Sequence, residues 1–274
     1  MKKNNAVLLS APYILWMLAF TLIPLGVVGY YALTDSNGVF TLENIKDLSL
    51  YLPVLWQSIL YSLISAFICL LLGYPVAYFI AHQKPTMQKF LYMFVMLPMC
   101  MSFLLRTLAW VGLLQDTGII NNLLAALGLP RITLIRTPAA VVLGMVYNYL
   151  PYMILPLYST ICKIDRRLIE AAEDLGCTPV QVFSKVILPL SVPGILSGTT
   201  MVFVPAVSTF YISQKLGNPM DTVLIGDIIE RLFKQANNPN LGAALSLVLM
   251  ALVFICTGIM NRFGGNDEEG GVIV

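Results

Sequence analysis

Charged residues are scarce in this sequence. Only 11% of its 274 residues are Asp, Glu, Lys or Arg, against 58% hydrophobic, and a water-soluble domain of this size could not bury that much apolar surface. Such a chain belongs in a bilayer. The net charge is only +2 and the basic residues are scattered through the polar segments, which excludes a nucleic-acid partner. The single histidine, His82, closes an apolar run without the partners a metal site needs. The five cysteines, Cys69, Cys100, Cys162, Cys177 and Cys256, form no CxxC pair and are odd in number, so they read as small apolar fillers. No GxxxxGK[ST] loop is present to cradle nucleotide phosphates, no GxSxG elbow, and no acid inside any long apolar run. These absences argue against an ATPase, an intramembrane protease and an ion-coupled carrier. Neither a catalytic residue nor a cofactor is expected.

What the sequence does have is long apolar runs. About 20 apolar residues cross a hydrocarbon core about 30 Å thick, and six stretches qualify: about 7–31, 57–81, 90–114, 138–162, 190–213 and 242–263. The first is too long for a secretion signal and no A-x-A site follows it. The fold class expected is an all-helical, polytopic membrane protein, one transmembrane domain over 1–274 without internal duplication. With the amino terminus inside, the inner segments hold nine Lys or Arg in 50 residues and the outer ones six in 74, so both termini and the 163–189 loop are expected to be cytoplasmic.

That loop is unusually ordered for its composition. In "KIDRRLIEAAEDLG", Asp165 can cap a helix on which Leu168, Ala171, Ala172 and Leu175 form a narrow apolar face. Gly176 suits a left-handed stop. "TPVQ" then reads as a capping box, with Thr178 as cap, Pro179 at the first helical position and Gln181 reaching back. Pro189 and Pro193 mark where this second helix gives way to the next span. The acidic outer face, with Glu170, Glu173 and Asp174, is unlike the Lys/Arg-rich face of a lipid-surface helix. Two short helices joined at a glycine make a shape that fits a groove.

"EAAEDLG", nine intervening residues and "VILP" resemble the EAA signature of bacterial ABC importer permeases, with Val186 where isoleucine is usual. The resemblance implies a six-helix type I permease in the bacterial cytoplasmic membrane. The loop would then be a coupling helix that docks on a separate cytoplasmic ATPase, present in two copies, and Glu170, Ala171, Ala172, Gly176 and Pro189 would take that role. "LGYPVAYFIA", "FLLRTLAW", "YLPYMILPLYSTI" and "VLIGDIIERLF" extend the resemblance, over nearly the whole chain, to the PotB-type permeases of spermidine/putrescine importers. Leu108 stands where an aromatic is expected. That family implies two further partners, a second permease subunit of the PotC type and an extracytoplasmic polyamine-binding protein. A permease for another small solute is the alternative substrate reading.

A polyamine is a flexible polycation suited to aromatic faces and to hydroxyl or amide oxygens. Asn148, Tyr152, Phe203 and Tyr211 are the candidate pathway residues; ordinary helix contacts are the competing reading. Arg106 is the one charge well inside a span, at a cost of about 2.5–3.5 kcal/mol if central, and is assigned a structural or gate role. Asp116, Asp221, Asp227 and Glu230 are candidate outer contacts for a cation or a partner, or else a solvated face. "DTVLIGDIIERLFKQ" is amphipathic but too short to span, and should lie along the interface or dip into it.

Overall fold

The structure, a computed structural model, describes residues 12–35, 38–235 and 238–264. Its elements are helices, with one isolated bridge between Thr34 and Phe40. Besides two short segments, the α-helix Glu43–Asp47 and the 3-10 helix Leu48–Tyr51, the main ones are α1 (Pro12–Ala32), α2 (Leu52–Ala81), α3 (Pro85–Met96), α4 (Phe103–Leu114), α5 (Ile119–Ala126), α6 (Pro138–Ile161), α7 (Arg166–Asp174), α8 (Pro179–Leu190), α9 (Val192–Val207), α10 (Tyr211–Leu216), α11 (Ile225–Lys234) and α12 (Pro239–Gly264). Among the described residues, five stretches are long and apolar enough to cross a membrane, or six if α8 and α9, bent by 62° at Ser191, count as one. Residues 7–11 of the first expected span, and 265–274, lie outside the described residues.

The segment 90–114 differs from the single helix expected of it. α3 ends in a 3-10 turn, Leu97–Cys100, at Pro98, Met101 is extended, and α4 starts afresh at Phe103. Proline brings no amide hydrogen to the helical ladder and clashes with the preceding turn, which accounts for the break. The stretch of spanning length here is Phe103–Ala126, α4 with α5. The segment 190–213 is divided too: α9 ends at Val207, and Tyr211 opens α10.

The chain forms two compact units, one within Met1–Pro53 and Ile228–Leu252, the other within Val54–Asp227 and Val253–Val274. In the first, Ala32 packs with Ala243 and Ala244, and the Asn44 amide bridges the carbonyls of Ala32 and Thr34.

In the second unit α6 is central. It begins with Thr137 capping Ala140 N and Pro138 at the first position. Val141, Met145, Met153 and Leu157 are fully enclosed, packed with Val202 of α9 and Ile212 and Leu216 of α10. α2 meets this core through small residues, Ser58, Ser62, Ser65, Ala66, Cys69, Gly73 and Ala77, all buried. Their spacing of three or four places them on one face, and small side chains let two backbones come close, the usual contact between helices in lipid. The serine hydroxyls are satisfied locally: Ser58 donates to Val54 O and accepts from Ile225 N, and Ser62 donates to Ser58 O. On α9, Gly194 and Gly198 do the same work against α6. A Cβ on Gly194 would lie 2.6 Å from Thr160 Oγ1, and one on Gly198 2.8 Å from Met153 Sδ.

Candidate functional site

The segment after α6 folds as its capping residues dictate. Asp165 Oδ1 accepts from Arg167 N at 3.0 Å and starts α7. Gly176 stops it at φ +82°, with Cys177 N donating to Ala172 O and Gly176 N to Glu173 O, a Schellman closure that satisfies two orphan carbonyls. Thr178 and Gln181 then form the reciprocal capping box of α8, at 2.9 and 3.4 Å. α8 continues through a π-helical turn, Phe183–Ile187, as far as Leu190, longer than a capping box alone foretells.

The two alanines of the signature point different ways. Ala172 is buried against Val182 and Ile187, which fixes α7 to α8, whereas Ala171 and Glu170 are exposed. Leu168 and Leu175 remain uncovered, Leu175 at 85% of its full exposure, and so does Val180. An apolar edge beside unpaired carboxylates on a capped, rigid element is what a protein partner's groove accepts. Pro189 is exposed, two residues before the bend. Behind α7 lies an open cavity of about 600 Å³, lined in part by Tyr78, His82, Gln88, Glu170, Glu173 and Pro179.

The other sequence candidates are dispersed. Asn148 and Phe203 are buried, at 1% and 2% exposure; Asn148 Nδ2 donates to Gly144 O, while its Oδ1 is a buried acceptor without a donor. Tyr152 is exposed and its ring lies 6.3 Å from that of Tyr149. Tyr211 is half-buried; Lys215 Nζ stands 5.7 Å from the centre of its ring. Arg106 faces inward on α4 at 7% exposure, with Nε and Nη1 buried and unpaired. Asp116 and Asp221 are exposed, and Glu230 is paired with Lys234 at 2.8 Å. Asp227 differs from the exposed acid expected: it is 1% exposed, and its Oδ1 accepts from Gln214 Nε2 at 2.8 Å.

Sequence reading missed the contact at the bend. Tyr74 of α2 lies 2.8 Å from Ser191 Oγ, both buried, and Phe183 sits edge-on to Tyr74 at 5.6 Å. Tyr74 lies within the quoted "LGYPVAYFIA", but nothing in one sequence pairs it with a serine 117 residues away.

Residues 71–264 match the family described as "Binding-protein-dependent transport system inner membrane component". The chain belongs to this family. The span matched runs from within α2 through α7 and α8 to the end of α12. The permease PotB of the spermidine/putrescine transport system of Haemophilus influenzae is 40% identical over 93% of this chain and 93% of its own length. Its Escherichia coli K12 counterpart is 37% identical over 85% and 88%. The fold is that of a permease chain of a bacterial alginate ABC transporter, crystallised in complex with a periplasmic protein carrying an alginate pentasaccharide. It has a TM-score of 0.74 at 20% identity and covers 96% of this chain and 93% of that one. This protein is therefore a multi-pass, all-helical permease of a binding-protein-dependent ABC importer. Such a system combines the permease with an ATPase and a solute-binding protein.

Proposed function

We propose that this permease imports a polyamine of the spermidine/putrescine class by alternating access. A separate ATPase, in two copies, grips α7 and α8 on the cytoplasmic side, where both termini also lie. Glu170, Ala171, Ala172, Gly176 and Pro189 belong to the gripped element. A second permease chain of the PotC type completes the passage, and an extracytoplasmic binding protein delivers the solute. The observation that carries the polyamine reading is the identity of 37–40% to named spermidine/putrescine permeases across most of the chain. The uncovered leucines of α7 support the docking role.

The passage suits weak, transient contact with a polycation. No acid lies within the apolar spans, so tight binding belongs to the extracytoplasmic partner. Tyr152 offers an exposed ring, and the position of the Lys215 ammonium, 5.7 Å from the centre of the Tyr211 ring, supports a cation contact there. Asn148 Oδ1 is an acceptor in reserve, and Phe203, enclosed here, becomes a contact only as the helices part. Arg106 is a gate element, its unpaired guanidinium repelling cations until the helices rearrange. Of the outer acids, Asp116 and Asp221 are exposed and can meet a partner, Asp221 while its Oδ2 accepts from Asn218 Nδ2 at 3.0 Å; Asp227 and Glu230 have contacts of their own.

The test is ATP hydrolysis and uptake by the reconstituted complex. Binding protein loaded with spermidine or putrescine is expected to stimulate hydrolysis several-fold over the same protein loaded with an unrelated solute, and an uncoupler is expected to leave uptake unchanged. Uptake that follows the proton gradient and ignores ATP contradicts the transport reading. Stimulation by another solute and by no polyamine contradicts the substrate alone.

A further inference from the structure

The chain bends by 62° between Leu190 and Val192, and the i→i−4 backbone ladder is incomplete there. Pro193 has no amide hydrogen for the carbonyl of Pro189, and Pro189 has none for that of Lys185. The helical ladder is thus interrupted on both sides of Ser191. Ser191 N donates to Ile187 O at 2.9 Å and to Leu188 O at 3.2 Å, a cap amide meets Pro189 O, and Ser191 O accepts from Ile195 N at 2.9 Å, so tight turn bonds stand in for the regular ladder. A joint of this kind can open or close under load, with φ and ψ changing at a few element-terminal residues.

One side-chain relay ties the joint to α2. The Ser191 hydroxyl donates its single hydrogen to Leu188 O at 2.9 Å. In the 2.8 Å contact with Tyr74 it must therefore accept, and the Tyr74 phenol donates. The result is a chain from α2 through Ser191 to a carbonyl of the last turn of α8. Ser191 is 0% exposed and Tyr74 8%, so water does not compete for either bond. Phe183 lies edge-on between Tyr74 and Tyr78, at 5.6 and 5.7 Å, and beds α8 against the same helix. At its other end α8 is joined to α7 through Ala172, Val182 and Ile187. Beyond the bend, α9 is locked to α6 at Gly194 and Gly198.

We propose that Tyr74 and Ser191 are positioning residues for energy transmission. Their hydrogen bond holds the bend at a fixed angle against α2, so that movement of α7 and α8 is passed to the spanning helices and not taken up at residue 191. This rests on the docking role of α7 and α8. Neither residue touches the ATPase or the solute in this role, and neither belongs to the EAA signature.

The test uses the whole reconstituted importer carrying Tyr74→Phe, Ser191→Ala or Ser191→Thr, and reads three quantities: ATPase co-purified with the permease, ATP hydrolysed, and solute imported per ATP. Tyr74→Phe and Ser191→Ala are expected to retain the ATPase and to go on hydrolysing ATP. Import per ATP is expected to fall about fivefold, the factor that a net hydrogen bond of about 1 kcal/mol sets. Ser191→Thr keeps the hydroxyl and is expected to restore the ratio. Unchanged import per ATP in Tyr74→Phe overturns the proposal. So does loss of the complex in both hydroxyl-deleting variants, since the contact is then structural only. Failure of the docking role itself gives a different pattern: the ATPase stays attached when α7 is altered.

Discussion

Leucine in place of Gly194 is expected to part α9 from α6 and to lower the thermal midpoint of the detergent-solubilised complex. The first atom of any side chain there already lies 2.6 Å from Thr160 Oγ1, 2.8 Å from Thr160 Cβ and 3.1 Å from the Pro156 carbonyl oxygen. The threonine is β-branched on a helix and the carbonyl is backbone, so neither can withdraw by turning a flexible side chain. Overpacking of this kind costs about 3 kcal/mol, and alanine at the same position is expected to lose part of that. Gly258 provides the comparison, because a Cβ there meets nothing within 4 Å. Gly258→Ala is expected to leave the midpoint unchanged or to raise it slightly, since alanine is the better helix former. Equal losses at the two positions would contradict close packing at Gly194.

Valine at Gly176 is expected to reduce ATP-driven import about tenfold without lowering the thermal midpoint of the spanning helices. Nothing lies within 4 Å of a Cβ at this position, so the substitution introduces no clash; it acts through φ +82°. An ordinary residue in the left-handed region costs about 1–2 kcal/mol, and a β-branched one more. Relieving that strain breaks the bonds from Cys177 N to Ala172 O and from Gly176 N to Glu173 O. α8 is then re-aimed relative to α7. The expected order of import is Gly176→Asn above Gly176→Ala above Gly176→Val, because asparagine tolerates this backbone best after glycine. Uptake into proteoliposomes with internal ATP measures it. A flat series would show that the angle between the two short helices does not matter.

Legibility in the sequence followed the range of the forces involved. The helix pair α7 and α8 was readable because its determinants are local: Asp165, Gly176 and the Thr178/Gln181 pair each act within about one turn, and each does what its chemistry requires. The long apolar helices were readable for a similar reason, since length and composition decide them. Breaks inside apolar runs were harder to see. Pro98 and the end of α9 at Ser208 interrupt segments that hydropathy alone treats as continuous. Burial was harder still, because it is decided by residues far apart in the chain. Asp227 looks like a solvated acid beside Glu230, yet Gln214 covers it. The small-residue face of α2 was legible in principle: Ser58, Ser62, Ala66, Cys69, Gly73 and Ala77 recur every three or four residues. What that face meets, and the Tyr74–Ser191 contact, required the fold.

The most direct measurement is the amount of ATPase that co-purifies with the permease when the uncovered edge of α7 is made acidic by Leu168→Glu together with Leu175→Glu. Both leucines are exposed and fill no core, so the permease is expected to fold with an unchanged thermal midpoint. Attachment of the ATPase and solute import are expected to be lost together, because an apolar contact is replaced by two charges that must be desolvated. Wild-type attachment and wild-type import in this folded variant would contradict the claim that a separate motor moves the membrane helices by holding α7 and α8.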